Sequence, residues 1–387
     1  MSLKSVMVSS LCLLSVTRLA AAETPEARAA SENAAAAVDE AAADAELPAP
    51  ELMLEVWRVP VKRPYALNDA DMIRVGVEQE FSSPGERSAR KQAAGLRARA
   101  LKAEGDAGAR ALAERVAHAR ADQWLAERSH RVHEAHLQLT LRTLELARAR
   151  YAAGGTLADV TAAELAAAAA AAQLASDAAR AQASKKLVAA LNGADAPPPA
   201  GERPELAMLR WAREAELADA RAEQARSGWP DFRVGASYFA PTSGRDEHGF
   251  GVTLGMKLPW LWGDRSSRQS AANARARGLE QQLVAKRRDL NADTVEAEGA
   301  LAAAESMQRV LREQVLPVAE RGSQLSLSAY QSGQGKLDDV LRAATARVEA
   351  EMELVRVEGE IQHRKVELAF LQGRPEASKV EGAGHVH

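Results

Sequence analysis

Three histidines, His130, His133 and His136, stand three residues apart in a stretch of helical composition. At about 100° per residue their directions spread over about 120° of a helix. Sharing a face, they could bind a soft divalent metal. Otherwise they are solvated or packing residues of a helix wall. His385 and His387 end a glycine-containing tail, residues 374–387, that reads as disordered. The chain has one cysteine, Cys12, so no disulfide and no cysteine-based metal site is expected. No nucleophile stands beside a base in a recognisable arrangement. Gly154-Gly155 is a turn signal without the flanking residues of a phosphate loop. These residues give no reason to expect an enzyme, a catalytic residue or a cofactor. The near-neutral balance, a net charge of −3, gives no reason to expect nucleic acid as a partner.

The elements that must position these residues are unusual. The chain has 387 residues, 47% of them apolar, yet only 4% are aromatic and much of the rest is alanine. That composition favours long helices packed closely side by side over a conventional globular core. Residues 1–22 read as a secretory signal peptide: Lys4 is the positive end, Val6 to Val16 a short apolar run, and Ala20-Ala21-Ala22 a cleavage site. A buried N-terminal helix is the alternative. Cys12 lies in the apolar run with no small-residue lipobox before it. No other stretch is expected to be long and apolar enough for a transmembrane helix, so a membrane-spanning form would have to use strands.

Self-similarity is the strongest signal. Pro50-Glu51 matches Pro230-Asp231, and the run from Gly85 to Arg90 matches that from Gly263 to Arg268. Ala93-Ala94 matches Ala271-Ala272, and Tyr151 with Gly154 matches Tyr330 with Gly333. Leu157, Asp159 and Val160 match Leu337, Asp339 and Val340, and Leu191-Asn192-Gly193 matches Leu371-Gln372-Gly373. All keep their order at one offset of about 180 residues, the mark of an internal duplication. The organisation that follows is a helix at 23–47, a first repeat at 48–193, a linker and extra helix at 194–228, and a second repeat at 229–373. Each repeat reads as two strands, a long helix, a glycine turn and a second helix stopped near a glycine.

The strands alternate. Ile73, Val75 and Val77 oppose Arg74, Gly76, Glu78 and Glu80; Phe232, Val234, Ala236 and Tyr238 oppose Asp231, Arg233, Gly235 and Ser237. Phe250, Val252, Leu254, Met256 and Leu258 oppose Gly249, Gly251, Thr253, Gly255 and Lys257. Glu51 to Val59 is less regular because of Trp57 and Arg58. Strands of this length with one apolar face suit a transmembrane barrel, and Trp57, Trp229, Trp260 and Trp262 near strand ends suit its interfaces. An amphipathic soluble sheet fits the same alternation. Four strands cannot close a barrel, and open edges are excluded from lipid, so the membrane reading requires oligomerisation; three protomers would give twelve strands.

Helix lengths are consistent with a tube of even height. Residues 86–151 would make roughly 99 Å of helix, whereas 157–192 and 203–228 would make roughly 54 and 39 Å and match it when stacked. In the second repeat 264–330 would give about 100 Å and 337–372 about 54 Å, with segment 24–47 placed to complete that stack. The alanine tract 166–172 suits close helix–helix approach in such a wall, or is low-complexity helix without a packing role.

This duplicated strand–strand–helix–turn–helix pattern resembles the outer-membrane factor family, the TolC-like efflux channels, over roughly residues 48–373. The junctions from Phe81 to Gly85 and from Leu258 to Gly263 carry the resemblance, with the tips from Tyr151 to Val160 and from Tyr330 to Val340. The strands and loop from Val59 to Phe81 look closest to the heavy-metal, CzcC-type branch. The resemblance implies a mostly α protein with a β-barrel part. Each protomer of a homotrimer would give four strands to a 12-stranded outer-membrane barrel above a long periplasmic α-helical barrel. It implies as partners a periplasmic adaptor (membrane fusion) protein, an inner-membrane pump of RND type and outer-membrane lipid. It also implies gate residues at the tips: Tyr151, Gly154, Asp159, Tyr330, Gly333, Asp339 and Arg342. Gly335 stands where some members carry arginine, and Arg342 where some carry a second acidic residue, so the usual closed-state lock is incomplete. Tyr330 and Asp339 could equally just cap and pack the turn. A soluble periplasmic coiled-coil scaffold, adaptor-like, is the competing reading, although an adaptor would need lipoyl-like β segments flanking a single hairpin.

Overall fold

The computed structural model describes residues 25–44, 46–57, 72–191, 202–241, 247–257 and 266–373. The signal-like segment 1–22 with Cys12, the loop after Trp57, the second junction with Leu258, Trp260 and Trp262, and the tail with His385 and His387 lie outside them.

The order of elements is α1 (Pro25–Asp44), β1 (Glu51–Trp57), β2 (Met72–Phe81), α2 (Pro84–Ala152), α3 (Leu157–Leu191), α4 (Pro204–Gly228), β3 (Asp231–Pro241), β4 (Gly249–Lys257), α5 (Ser266–Val310), α6 (Leu316–Gln331) and α7 (Leu337–Leu371). At 69 residues α2 is the longest helix, about 104 Å at the usual rise. Pro84 and Pro204 sit in the first turns of α2 and α4, where a missing N–H costs nothing. Gly373, at φ 72°, follows the end of α7.

α3 and α4 lie one after the other along α2. Near the tip, Arg148 pairs with Glu164; further along, Lys185 reaches Glu127. Beyond α3, Ala93 and Leu96 of α2 pack with Ala215 and Ala218 of α4. Such small residues let backbones approach closely, as the alanine-rich composition requires. α1 packs against α2 as well, in the first repeat, and so does not complete the second-repeat stack as segment 24–47 was expected to do. α7 bridges the repeats, touching both α2 and α5.

Two further expectations are corrected. The second long helix is interrupted by a π-helical turn, Leu311–Val315, where the Leu316 amide donates to the Leu311 carbonyl. Pro317 follows at once. Its ring and missing N–H are incompatible with a regular α turn at this point, and the wider turn absorbs the mismatch. Second, α3 is long and apolar enough, by length and composition alone, to cross a membrane. Its apolarity is largely alanine, and the helix packs along α2.

The four strands form one antiparallel sheet in the order β1-β2-β3-β4. The two repeats join at β2–β3, with Val75 opposite Tyr238 and Val77 opposite Ala236.

Candidate functional site: a two-faced sheet and two helical tips

Because side chains alternate along a strand, the register decides which residues share a face. The pairs Leu52–Val77, Val77–Ala236 and Ala236–Val252 run across all four strands. So do Leu54–Val75, Val75–Tyr238 and Tyr238–Phe250. The result is a continuous apolar face that includes Ile73, Phe232, Val234, Leu254 and Met256. It is bare: Phe250 is 89% exposed and Leu52 75%. On the same face the Tyr238 hydroxyl lies 2.6 Å from His248 Nδ1. Trp57 and Trp229 are exposed near strand ends.

The opposite face is charged. Arg74 pairs with Glu55 at 3.1 Å and donates to Thr253 at 2.9 Å. Arg233 reaches Glu78 at 2.6 Å, and Lys257 reaches Glu80 at 2.6 Å. Glycines keep this face low where strands are crowded. A Cβ on Gly251 would come within 2.6 Å of the Phe239 ring. One face suits hydrocarbon and the other suits water.

The tips are built alike and packed differently. In the first, Gly154 takes φ 99° and the Gly155 amide donates to the Arg150 carbonyl at 2.8 Å. In the second, Gly333 takes φ 81° and the Gly335 amide donates to the Ala329 carbonyl at 2.9 Å. A Cβ on Gly155 would meet the Arg150 carbonyl oxygen at 2.9 Å, and one on Gly335 the Tyr330 nitrogen at 2.9 Å. Each turn therefore needs two glycines, one for its backbone angle and one for close approach. That is the physical reason a glycine, and not a residue with a side chain, stands at position 335.

The two tyrosines have opposite fates. Tyr151 is 49% exposed. Tyr330 is 0% exposed, in a core with Leu144, Ala147, Val160, Ala163, Ala167, Leu337 and Val340. Arg150 stacks on the Tyr330 ring and donates from Nη1 to its carbonyl at 3.1 Å. The Tyr330 hydroxyl points to Asp159 Oδ2 at 3.5 Å. Burial, and then the Asp159 charge, raise the phenol above its ordinary pKa. Asp339 instead pairs with Arg342 at 3.3 Å, and Asp338 with the same guanidinium, on the outside of α7. The sequence signal that would have found Arg150 is its place one residue before Tyr151, the repeat partner of Tyr330.

The three spaced histidines do not converge. His133 is buried and bonded to the Asp177 carboxylate of α3. His130 borders a cleft with Glu127, Gln182 and Lys185, also on the α3 side. His136 faces α7, beside Arg347 and Glu351. Burial, and secondly His133, lower its pKa. Among the described residues no group of three or more His, Cys, Asp or Glu side chains is placed to hold a metal ion. Sequence reasoning missed a pair formed by His118 of α2 and His363 of α7, whose rings stack at 5.1 Å.

Comparison with known proteins agrees with this architecture. Residues 200–374 match the family model for the outer membrane efflux protein. No curated protein matches the sequence. Among solved structures, the outer membrane protein VceC from Vibrio cholerae superposes with a TM-score of 0.72 at 21% identity, over 90% of this chain and 92% of VceC. CusC gives 0.74 at 14% identity, over 90% and 88%. The open-state MtrE outer membrane channel of Neisseria gonorrhoeae gives 0.71 at 18% identity, over 91% and 86%. The fold is therefore that of these outer-membrane channels, and the stretch from α4 through the second repeat is similar to the outer membrane efflux protein family.

Proposed function

We infer that this chain is the outer-membrane exit duct of a tripartite efflux system. Three protomers form a passive channel that carries small molecules or metal ions from a periplasmic assembly to the outside. The observation that carries this reading is the sheet: a bare apolar face, a charged opposite face, and edge strands β1 and β4 without partners among the described residues. Neither free edges nor the bare face is stable in isolation, and lipid plus two more protomers would satisfy both. The helical hairpins extend from the same sheet and end in the two tips, where a periplasmic adaptor would dock and link the duct to an inner-membrane pump of RND type. The cargo would be set mainly by that pump.

Fractionation tests the reading. The protein should appear in the outer membrane and be extracted by detergent as a trimer. Recovery from the soluble periplasm without detergent would overturn it and favour a scaffold. Capture of an adaptor by cross-links from exposed Tyr151 or Asp338 tests the docking end, and co-purification of a pump of another class would overturn the RND assignment.

A further inference from the structure

α2 belongs to the first repeat and α7 to the second, and their contact is closely fitted. At one level Gly359 faces Leu125, where a Cβ on the glycine would come within 3.0 Å of Leu125 Cδ1. At the next, Ala117 packs with Val366 and Phe370. Between these apolar contacts lie two histidines. His118 Nδ1 and His363 Nδ1 are 2.8 Å apart, and His363 Nε2 is 2.9 Å from Asp122 Oδ1. Leu125 and Gly359 border the surrounding cleft, and its charged lining comes from α7: Arg356, Glu360, Arg364 and Glu367.

Hydrogen-bond accounting limits the charge state. Two facing Nδ1 atoms at this distance need one donor and one acceptor. His363 Nε2–H is committed to the Asp122 carboxylate, so a first proton rests well on His363. The His118 Nδ1 lone pair then accepts from His363. A second proton removes the only acceptor and sets two imidazolium charges against each other.

We propose that the His118–His363 pair is a proton-operated latch between the two repeats, closed at neutral pH and released on acidification. Asp122, Glu360 and Glu367 favour protonation; Arg356 and Arg364 oppose it. Arg356 is tied to Glu353, and Arg364 to Glu367. Burial, and then the His363 charge, hold the His118 pKa below the ordinary histidine range. The sign follows. A base whose pKa is lowered by folding adds stability above its unfolded pKa, about 6.5, and loses it as pH falls below that value. Release would loosen the seam between Leu125–Gly359 and Ala117–Val366, letting the second hairpin shift against the first. The latch rests on the α2–α7 contact alone and stands whether or not the channel reading does.

The test uses the full-length protein in detergent or nanodiscs. In a Cys12→Ser background, spin labels at the exposed positions Arg115→Cys and Lys365→Cys report the α2–α7 spacing. The spacing should lengthen by roughly 2 Å, about the room for one water between the rings, as pH falls from 7.5 to 5. The change should vanish in His118→Gln/His363→Gln. No change in the parent, or the same change in the double variant, overturns the latch. If the double variant fails to assemble, histidine 15N titration of the parent decides. Two separated steps, the lower well under the ordinary histidine value, support it; two rings titrating together at that value overturn it.

Discussion

Arg150, at the end of the first repeat's long helix, lies over the ring of Tyr330 in the second, with its guanidinium carbon 4.3 Å from the ring centroid. The same side chain donates to the Tyr330 carbonyl. With Asp159 beside the Tyr330 hydroxyl, an arginine, a tyrosine and an acidic residue thus meet across the two repeats.

Tyr330→Ala should destabilise the tip by about 3–5 kcal/mol, as loss of a fully buried aromatic does. Tyr151→Ala should stay within about 0.5 kcal/mol, because Tyr151 is half in solvent. Hydrogen exchange of the α6–α7 turn separates the two; equal protection loss in both variants would contradict the packing.

Tyr330 also gives a pH prediction. Its pKa is raised by burial and by Asp159. A raised folded pKa contributes stability below the unfolded value, about 10, and loses it as pH rises through the folded value. Absorbance titration at alkaline pH should therefore show one tyrosine ionising late. Its step should coincide with loss of exchange protection at the tip and disappear in Tyr330→Phe.

Gly335→Ala and Gly155→Ala should each distort their turn through the 2.9 Å contacts a Cβ would make. Gly154→Ala and Gly333→Ala should cost about 1 kcal/mol through their backbone angle. Denaturant melts of the four variants check this, and a stabilised Gly335→Ala would refute the turn geometry.

In the π-helical turn, Arg312 donates to Glu358 at 2.6 Å. Glu358 is buried. Arg312→Ala should cost about 1–3 kcal/mol by leaving that carboxylate poorly paired. Adding Glu358→Gln should recover part of the loss in a double-mutant cycle. Strict additivity would show the pair is idle.

On the sheet, Leu254→Arg should impair assembly by about 2–4 kcal/mol if the apolar face meets lipid near mid-bilayer. Thr253→Arg, one residue away on the charged face, should be tolerated. Urea titration of vesicle-inserted protein measures both, and equal penalties would argue against a lipid-facing side.

The strand faces were legible because period-two alternation survives in a single sequence, and β1 became regular once paired with β2. The helices were legible as runs, but the π turn was not. Pro317 stood in plain view, yet a length estimate counts residues and ignores hydrogen-bond phase. Tyr151 and Tyr330 could not be told apart, since both precede similar glycine turns and only packing between hairpins buries one of them. The histidines mislead in the same way. Spacing draws attention to His130, His133 and His136, which split between the α3 and α7 sides. The pair that meets, His118 and His363, is far apart in the chain.

The sheet order carries a consequence of parity. An even number of antiparallel strands makes β1 and β4 run in opposite senses, so in a ring of protomers β4 of one would meet β1 of the next in the same antiparallel manner as their neighbours. The two edges differ, which makes the junction head-to-tail, the kind that generates rings when its rotation closes. Going round such a ring, hairpins of the two repeats alternate. The β2–β3 seam inside each chain is then a covalently tethered copy of the seam between chains. A trimer of this protein would be, in its barrel, a pseudo-sixfold object with three of its six seams already made before any two chains meet.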